Sequence, residues 1–126
     1  MFKGIEHVGL MSKDPEKLAR WYEEVLGFRT VFKTGSPPQV FIAGKEMGMI
    51  EIIPWEEGVS EEKDKKSHIA IEVADFEAAV EHLRNAGVTV EEPRDIFANG
   101  KAAFFRDIDN NVLHLVYRPE AVWSLD

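Results

Sequence analysis

No cysteine occurs among the 126 residues, which excludes disulfides, thiolate metal sites and thiol nucleophiles together. Positive charge is also scarce: 15 Lys and Arg stand against 23 Asp and Glu, a formal net charge of −8. Nucleic acid demands a basic stripe and an anionic membrane surface a polybasic patch, so neither partner is expected. No apolar run approaches a membrane span, and the opening MFKGIEHVGL lacks the apolar core of a secretory signal. From these absences a cytoplasmic protein is expected. The remaining composition, 44% hydrophobic and 30% charged, is that of one globular domain able to bury a sizeable core.

What the chain does have is a repeat. IEHVGLMSKDPEKLARWYEEVLGF, residues 5–28, and KSHIAIEVADFEAAVEHLRNAGV, residues 66–88, share one plan. Each opens with a His in an alternating apolar strand pattern and passes through an Asp into a helical pattern that ends at a Gly. The His-to-Gly interval is 20 residues in the first half (27 − 7) and 19 in the second (87 − 68). Asp14 suits an N-cap, Pro15 the first helical position and Gly27 a left-handed C-cap. Leu18, Trp21, Tyr22, Val25 and Leu26 recur on one helical face, as do Phe76, Ala79, Val80 and Leu83, so these aromatics read as core.

Three short strands are expected after each helix: 28–34, 39–43 and 48–54, then 88–91, 101–106 and 111–118. TGSPPQ, NGK and DIDNN supply turns. The fold class is therefore α+β: one domain of two β-α-β-β-β modules, 1–54 and 67–118, with a polar linker 55–66 and a tail 119–126.

The repeat also organises the polar residues. His7 and His68 open the two halves, and Glu51 and His114 lie 44 and 46 residues later (51 − 7 and 114 − 68), each inside an apolar last strand. Ile50 and Ile52 flank Glu51, Leu113 and Leu115 flank His114, and Ile69 follows His68. Alternation then turns the apolar neighbours toward the helices and all four polar residues to the opposite face. Three imidazoles and a carboxylate form a donor set for a divalent transition metal: zinc, nickel, cobalt, iron or manganese. The competing explanation is four separately satisfied structural groups; an unpaired buried Glu is costly, and repeat-equivalent placement weighs against it. His82, in a helix beside charged residues, reads as exposed.

At these residues the chain resembles the vicinal oxygen chelate superfamily, which includes glyoxalase I, fosfomycin-resistance proteins, extradiol dioxygenases and methylmalonyl-CoA epimerase. The carriers are HVGLMSKDPEKLARWYEEVLGF, SHIAIEV and FFRDIDNNVLHLV. The resemblance implies paired modules whose mixed sheet curls around a metal cup, with His7, Glu51, His68 and His114 as glyoxalase I-like ligands. It departs from the usual pattern at His114, where a Glu is customary. Ile108 and Asn110 replace the usual Pro and Gly of that turn. Three His and one Glu leave a divalent ion formally at +1, which favours anionic ligands and leaves Glu51 as the one ligand carboxylate able to move protons.

The resemblance implies a lyase, isomerase or epimerase that binds two neighbouring oxygens of a small substrate and stabilises an enediolate, with Glu51 as base. Met11 and Trp55 are candidate substrate contacts, standing where glutathione-dependent members tend to carry polar residues. The alternatives are an extradiol-type iron dioxygenase, for which His114 is atypical, and a non-catalytic antibiotic binder, which would not need a filled ligand set. A fosfomycin-type transferase would want a closing Glu. A homodimer is the expected assembly, because related proteins often pair modules from two chains.

Overall fold

Two helices set the plan. Asp14 accepts the Lys17 backbone N–H at 3.1 Å, Pro15 occupies the first helical position, and α1 runs over Pro15–Leu26. It ends where Gly27 takes φ +72°, a left-handed conformation glycine adopts without steric cost. Asp75 likewise accepts from the Ala78 N–H at 3.1 Å and starts α2, Phe76–Asn85. Each such cap contributes about 1 kcal/mol.

The computed structural model describes residues 1, 5–46, 48–58 and 68–120, and the chain divides into two compact units, Met1–Glu61 and Glu62–Asp126. The first unit carries β1 (His7–Ser12), α1, β2 (Arg29–Thr34), β3 (Gln39–Ala43) and β4 (Met49–Pro54). Its sheet has the order β1-β4-β3-β2, with β1 and β4 parallel and the remaining pairs antiparallel. The second unit carries β5 (Ile69–Glu72), α2, β6 (Arg94–Ile96), β7 (Gly100–Arg106) and β8 (Val112–Tyr117). Its order, β5-β8-β7-β6, repeats the first, again with one parallel pair. The fold is α+β: two open four-stranded mixed sheets, each with one helix.

Alternation decides what each sheet buries. In the first unit Val40, Ile42, Ile50 and Ile52 project from β3 and β4 and are buried with Leu18, Tyr22 and Val25 of α1. In the second, Ala103, Phe105, Leu113 and Leu115 are buried with Phe76, Val80 and Leu83 of α2. Each fully buried Leu, Ile or Phe contributes roughly 1.5–3 kcal/mol of hydrophobic stabilisation.

One strand differs from expectation. Residues 88–91 form no ladder, although Val90 is buried and the Glu91 N–H donates to the Phe104 carbonyl at 2.9 Å. Pro93 has no N–H to continue the pairing, and the strand restarts at Arg94. Of the expected linker, Trp55–Gly58 are exposed and 59–66 lie outside the described residues, as does the tail beyond Glu120. Among the described residues no helix is long and apolar enough to cross a membrane.

Candidate metal centre

The faces opposite the helices hold the polar residues singled out by the repeat. In the first unit β1 and β4 run side by side, with Gly9 registered on Glu51, which places His7 and Glu51 diagonally on one face. His7 Nε2 lies 3.6 Å from Glu51 Oε1. That is long for a hydrogen bond. It is close to the separation of two ligand atoms on one tetrahedral ion, about 3.4 Å for metal–ligand distances near 2.1 Å. Glu6 Oε1 sits 3.0 Å from His7 Nδ1, so an Nδ1–H donated to Glu6 leaves the Nε2 lone pair toward Glu51. The pair is open: the His7 side chain is 36% exposed and the Glu51 side chain 17%. Gly9 keeps the floor between them low, since a Cβ there would come within 3.2 Å of Ile53 Cδ1.

The second unit repeats the arrangement with a second imidazole in place of the carboxylate. His114 on β8 is registered on Ala70 of β5, and its ring centroid lies 4.5 Å from that of His68, which immediately precedes β5. His114 Nδ1 lies 3.0 Å from the Leu115 carbonyl oxygen, so an N–H donated there again leaves Nε2 as the lone-pair nitrogen. Only 8% of His114 is exposed. Burial pushes its pKa below the ordinary 6.5, the Leu115 hydrogen bond opposes this, and the charges of His68 and Arg118 add to the depression. A neutral imidazole is the form that ligates a metal.

Thus the structure brings the four predicted ligands together two and two, His7 with Glu51 and His68 with His114. Among the described residues no group of three or more His, Asp or Glu side chains gathers within one site. Each pair fits the donor chemistry of a transition-metal site, with Nε2 presented by His7 and His114. The remaining candidates lie nearby in sequence. Met11 is half-buried on β1, and Trp55 is 39% exposed beyond β4 with Lys13 Nζ 5.3 Å from its ring centroid. His82 is exposed on α2, as expected.

Two aromatics escaped the sequence reading. Phe41 meets His7 edge-on at 5.5 Å and 79°, and Phe104 meets His68 edge-on at 5.8 Å and 79°. Phe104 also lies 4.9 Å from His114, with its ring tilted 55°. Both are registered on the last-strand candidate ligand of their own unit, Phe41 on Glu51 and Phe104 on His114. The signal was present: Phe41 and Phe104 are 63 residues apart (104 − 41), as are Glu51 and His114 (114 − 51). Arg94 was missed because the strand that carries it was expected earlier in the chain.

A family model described as Glyoxalase/Bleomycin resistance protein/Dioxygenase superfamily matches residues 4–115. A fosfomycin resistance protein, FosX of Listeria monocytogenes, is 27% identical over 122 residues, covering 91% of this chain and 90% of that protein. Among solved structures, TnmS3, an antibiotic binding protein from Streptomyces sp. CB03234, superposes with a TM-score of 0.78 at 21% identity, covering 93% of this chain and 97% of that one. FosX from Mesorhizobium loti superposes with a TM-score of 0.68 at 24% identity, covering 97% and 96%.

Proposed function

This chain belongs to the Glyoxalase/Bleomycin resistance protein/Dioxygenase superfamily, and from that premise we propose that it is a metal-dependent lyase or isomerase of the glyoxalase or epimerase kind. The observation that carries the reading is the pair of half-sites at repeat-equivalent places: His7 with Glu51 at 3.6 Å and His68 with His114 at 4.5 Å between rings. His7, Glu51, His68 and His114 would together hold one divalent transition metal, whose bound form supplies Lewis-acid stabilisation of charge developing on two neighbouring substrate oxygens.

The chain's own residues do the rest. Glu6 and the Leu115 carbonyl orient the His7 and His114 rings, and Phe41 and Phe104 pack against them. Glu51 Oε1 or Oε2 takes a proton from the substrate carbon beside those oxygens and returns it, to the same carbon in an epimerase or to its neighbour in an isomerase. With His114 standing where a second carboxylate is customary, Glu51 is the one carboxylate of the proposed set that can take that proton. Two copies of the chain complete the assembly in this reading; sedimentation as a 14.3 kDa species at micromolar concentration would refute the homodimer.

The test is metal analysis of protein purified without a chelating column, then titration of metal-free protein with Zn²⁺, Ni²⁺, Co²⁺, Mn²⁺ and Fe²⁺. His7→Ala and His68→Ala should each weaken binding while leaving the protein folded. Wild-type affinity in both variants refutes the site. Iron with oxygen consumption would redirect the reading to an extradiol-type dioxygenase. The likeness to the Listeria FosX supports a second reading, action on fosfomycin. Unchanged fosfomycin sensitivity in a susceptible strain expressing the chain would count against it.

A further inference from the structure

The two units share a fold but not the chemistry of the sheet faces opposite their helices. In the first unit the aromatic Phe41 is met by a second aromatic, Phe32, at 6.1 Å. In the second unit Phe104 is met instead by a guanidinium, with Arg94 Cζ 4.8 Å from the ring centroid. The register puts this guanidinium on the imidazole face: Arg94 pairs with Ala102, Ala102 with Val116, and Phe104 with His114. Phe104 therefore lies between Arg94 on one side and His68 and His114 on the other.

A second cation lies close by. Arg118 follows Val116 by two residues, stacks 4.3 Å above the Phe97 ring, and its charge is felt at His114. Arg106, also on this face, donates to the Asn110 carbonyl at the hairpin, 3.0 Å away. Among the described residues the strands of this face carry Arg94, Arg106 and His114 against Glu72 of β5; beside them lie His68 just before β5, Arg118 just after β8, and Glu91 near Arg94. In a chain of net charge −8 that is a local inversion of sign.

A guanidinium stacked on a ring has its plane fixed while its N–H edge remains free to donate. Arg94 is half exposed, and its neighbouring carboxylate, Glu91, is 3.9 Å away, at the outer limit of an ion pair. An oxyanion offers shorter, bidentate hydrogen bonds and can displace so loose a contact.

We propose that the sheet face of the second unit opposite α2 carries an oxyanion subsite at its exposed β6 edge, in which Arg94, over the Phe104 ring and on the same face as the His68–His114 pair, donates to a carboxylate or phosphate-type group of the ligand, with Arg118 adding long-range attraction. This rests on the proposed function for its biological setting, since it assigns an anionic group to that substrate. The subsite itself is formed by protein side chains and needs no metal.

The test uses the full-length protein stripped of metal, with acetate and inorganic phosphate as probes, monitored by calorimetry and by the ring-proton NMR signals of the histidines. One or both probes should bind the wild type and move the His68 and His114 signals. Arg94→Gln should weaken that binding about 10-fold, the scale of one lost charge-assisted contact, and Arg94→Lys should recover part of it. Phosphate binding without acetate assigns a phosphate-type group, and the reverse a carboxylate. Equal binding by wild type and Arg94→Gln, or binding by neither, overturns the subsite. Zn²⁺ titration of Arg94→Gln should match the wild type, and His7→Ala should keep oxyanion binding. Failure of the metal site, seen as undiminished Zn²⁺ binding in His7→Ala, is therefore read separately from failure of the oxyanion subsite.

Discussion

Replacing His114 by Glu tests whether the buried imidazole serves a metal or the fold. His114 lies 8% exposed between the His68 and Phe104 rings, at 4.5 and 4.9 Å, with Nδ1 3.0 Å from the Leu115 carbonyl oxygen. In His114→Glu without metal, an ionised carboxylate has no proton to donate to that carbonyl and loses water. Leaving a buried charge uncompensated costs about 3 kcal/mol after relaxation. For a chain of this length each kcal/mol shifts the thermal midpoint by roughly 3–5 °C, so the metal-free variant should melt roughly 10–15 °C below wild type. The loss should shrink as pH falls, because protonation removes the buried charge.

Adding metal should narrow the gap. The new carboxylate cancels the formal +1 left by three His and one Glu, and a ligand at 1,000 times its Kd stabilises the folded state by about 4 kcal/mol. The metal-induced rise in midpoint should therefore be larger in His114→Glu than in the wild type. Paired thermal melts with chelator and with excess Zn²⁺ read this directly. The same loss under both conditions would make His114 a structural residue and refute the reasoning.

Three further outcomes are expected. Burial lowers the His114 pKa from 6.5, so as pH falls below 6.5 the unfolded chain gains a proton that the folded metal-free protein refuses. Stability should decline from 6.5 down to the depressed folded value and then level off, and urea midpoints across that range should show a shallower decline in His114→Gln. Asp107 is 6% exposed and accepts from the Asn111 N–H at 2.9 Å, Asn111 Nδ2 at 2.8 Å and the Asp109 N–H at 2.9 Å, so Asp107→Ala should cost roughly 3 kcal/mol in a denaturant titration. Asn110 sits at φ +68°, so Asn110→Gly should leave the urea midpoint within about 0.5 kcal/mol of wild type, while Asn110→Val should cost about 1–2 kcal/mol.

The helices were legible because their signals are local. Asp14, Pro15 and Gly27 act through bonds within one or two turns, so a few adjacent residues determine the ends of α1. β4 and β8 were legible for a related reason: Ile50, Ile52, Leu113 and Leu115 alternate with Glu51 and His114, and that alternation fixes the faces. β6 was not legible, because a three-residue edge strand reads from its neighbour's pairing rather than from its own pattern, and Val88 and Val90 offered a stronger apolar signal just upstream. The four candidate ligands could be named from spacing, but the Arg94–Phe104 stack could not, since it depends on β6–β7 register across 10 residues (104 − 94).

Why the two units diverge on one face and not the other follows from where stability resides. The helix-facing positions, such as Ile42, Ile52, Ala103 and Leu115, are 0–1% exposed, and a change of a single methylene there is felt as cavity or strain. Both copies therefore keep them apolar. The opposite face bears less of that load in the first unit, where His7 is exposed and Phe32 is 59% exposed, so substitution there costs little. In the second unit the same face is more closed around His114, yet a guanidinium is tolerated beside it because Phe104 covers one side of its plane and solvent reaches the rest. A repeated fold can thus hold its core constant while one copy presents a carboxylate and a phenyl ring, and the other an imidazole and an arginine. In the proposed reading that asymmetry divides the chemistry by unit: Glu51 would supply a base in the first, and Arg94 an anion contact in the second.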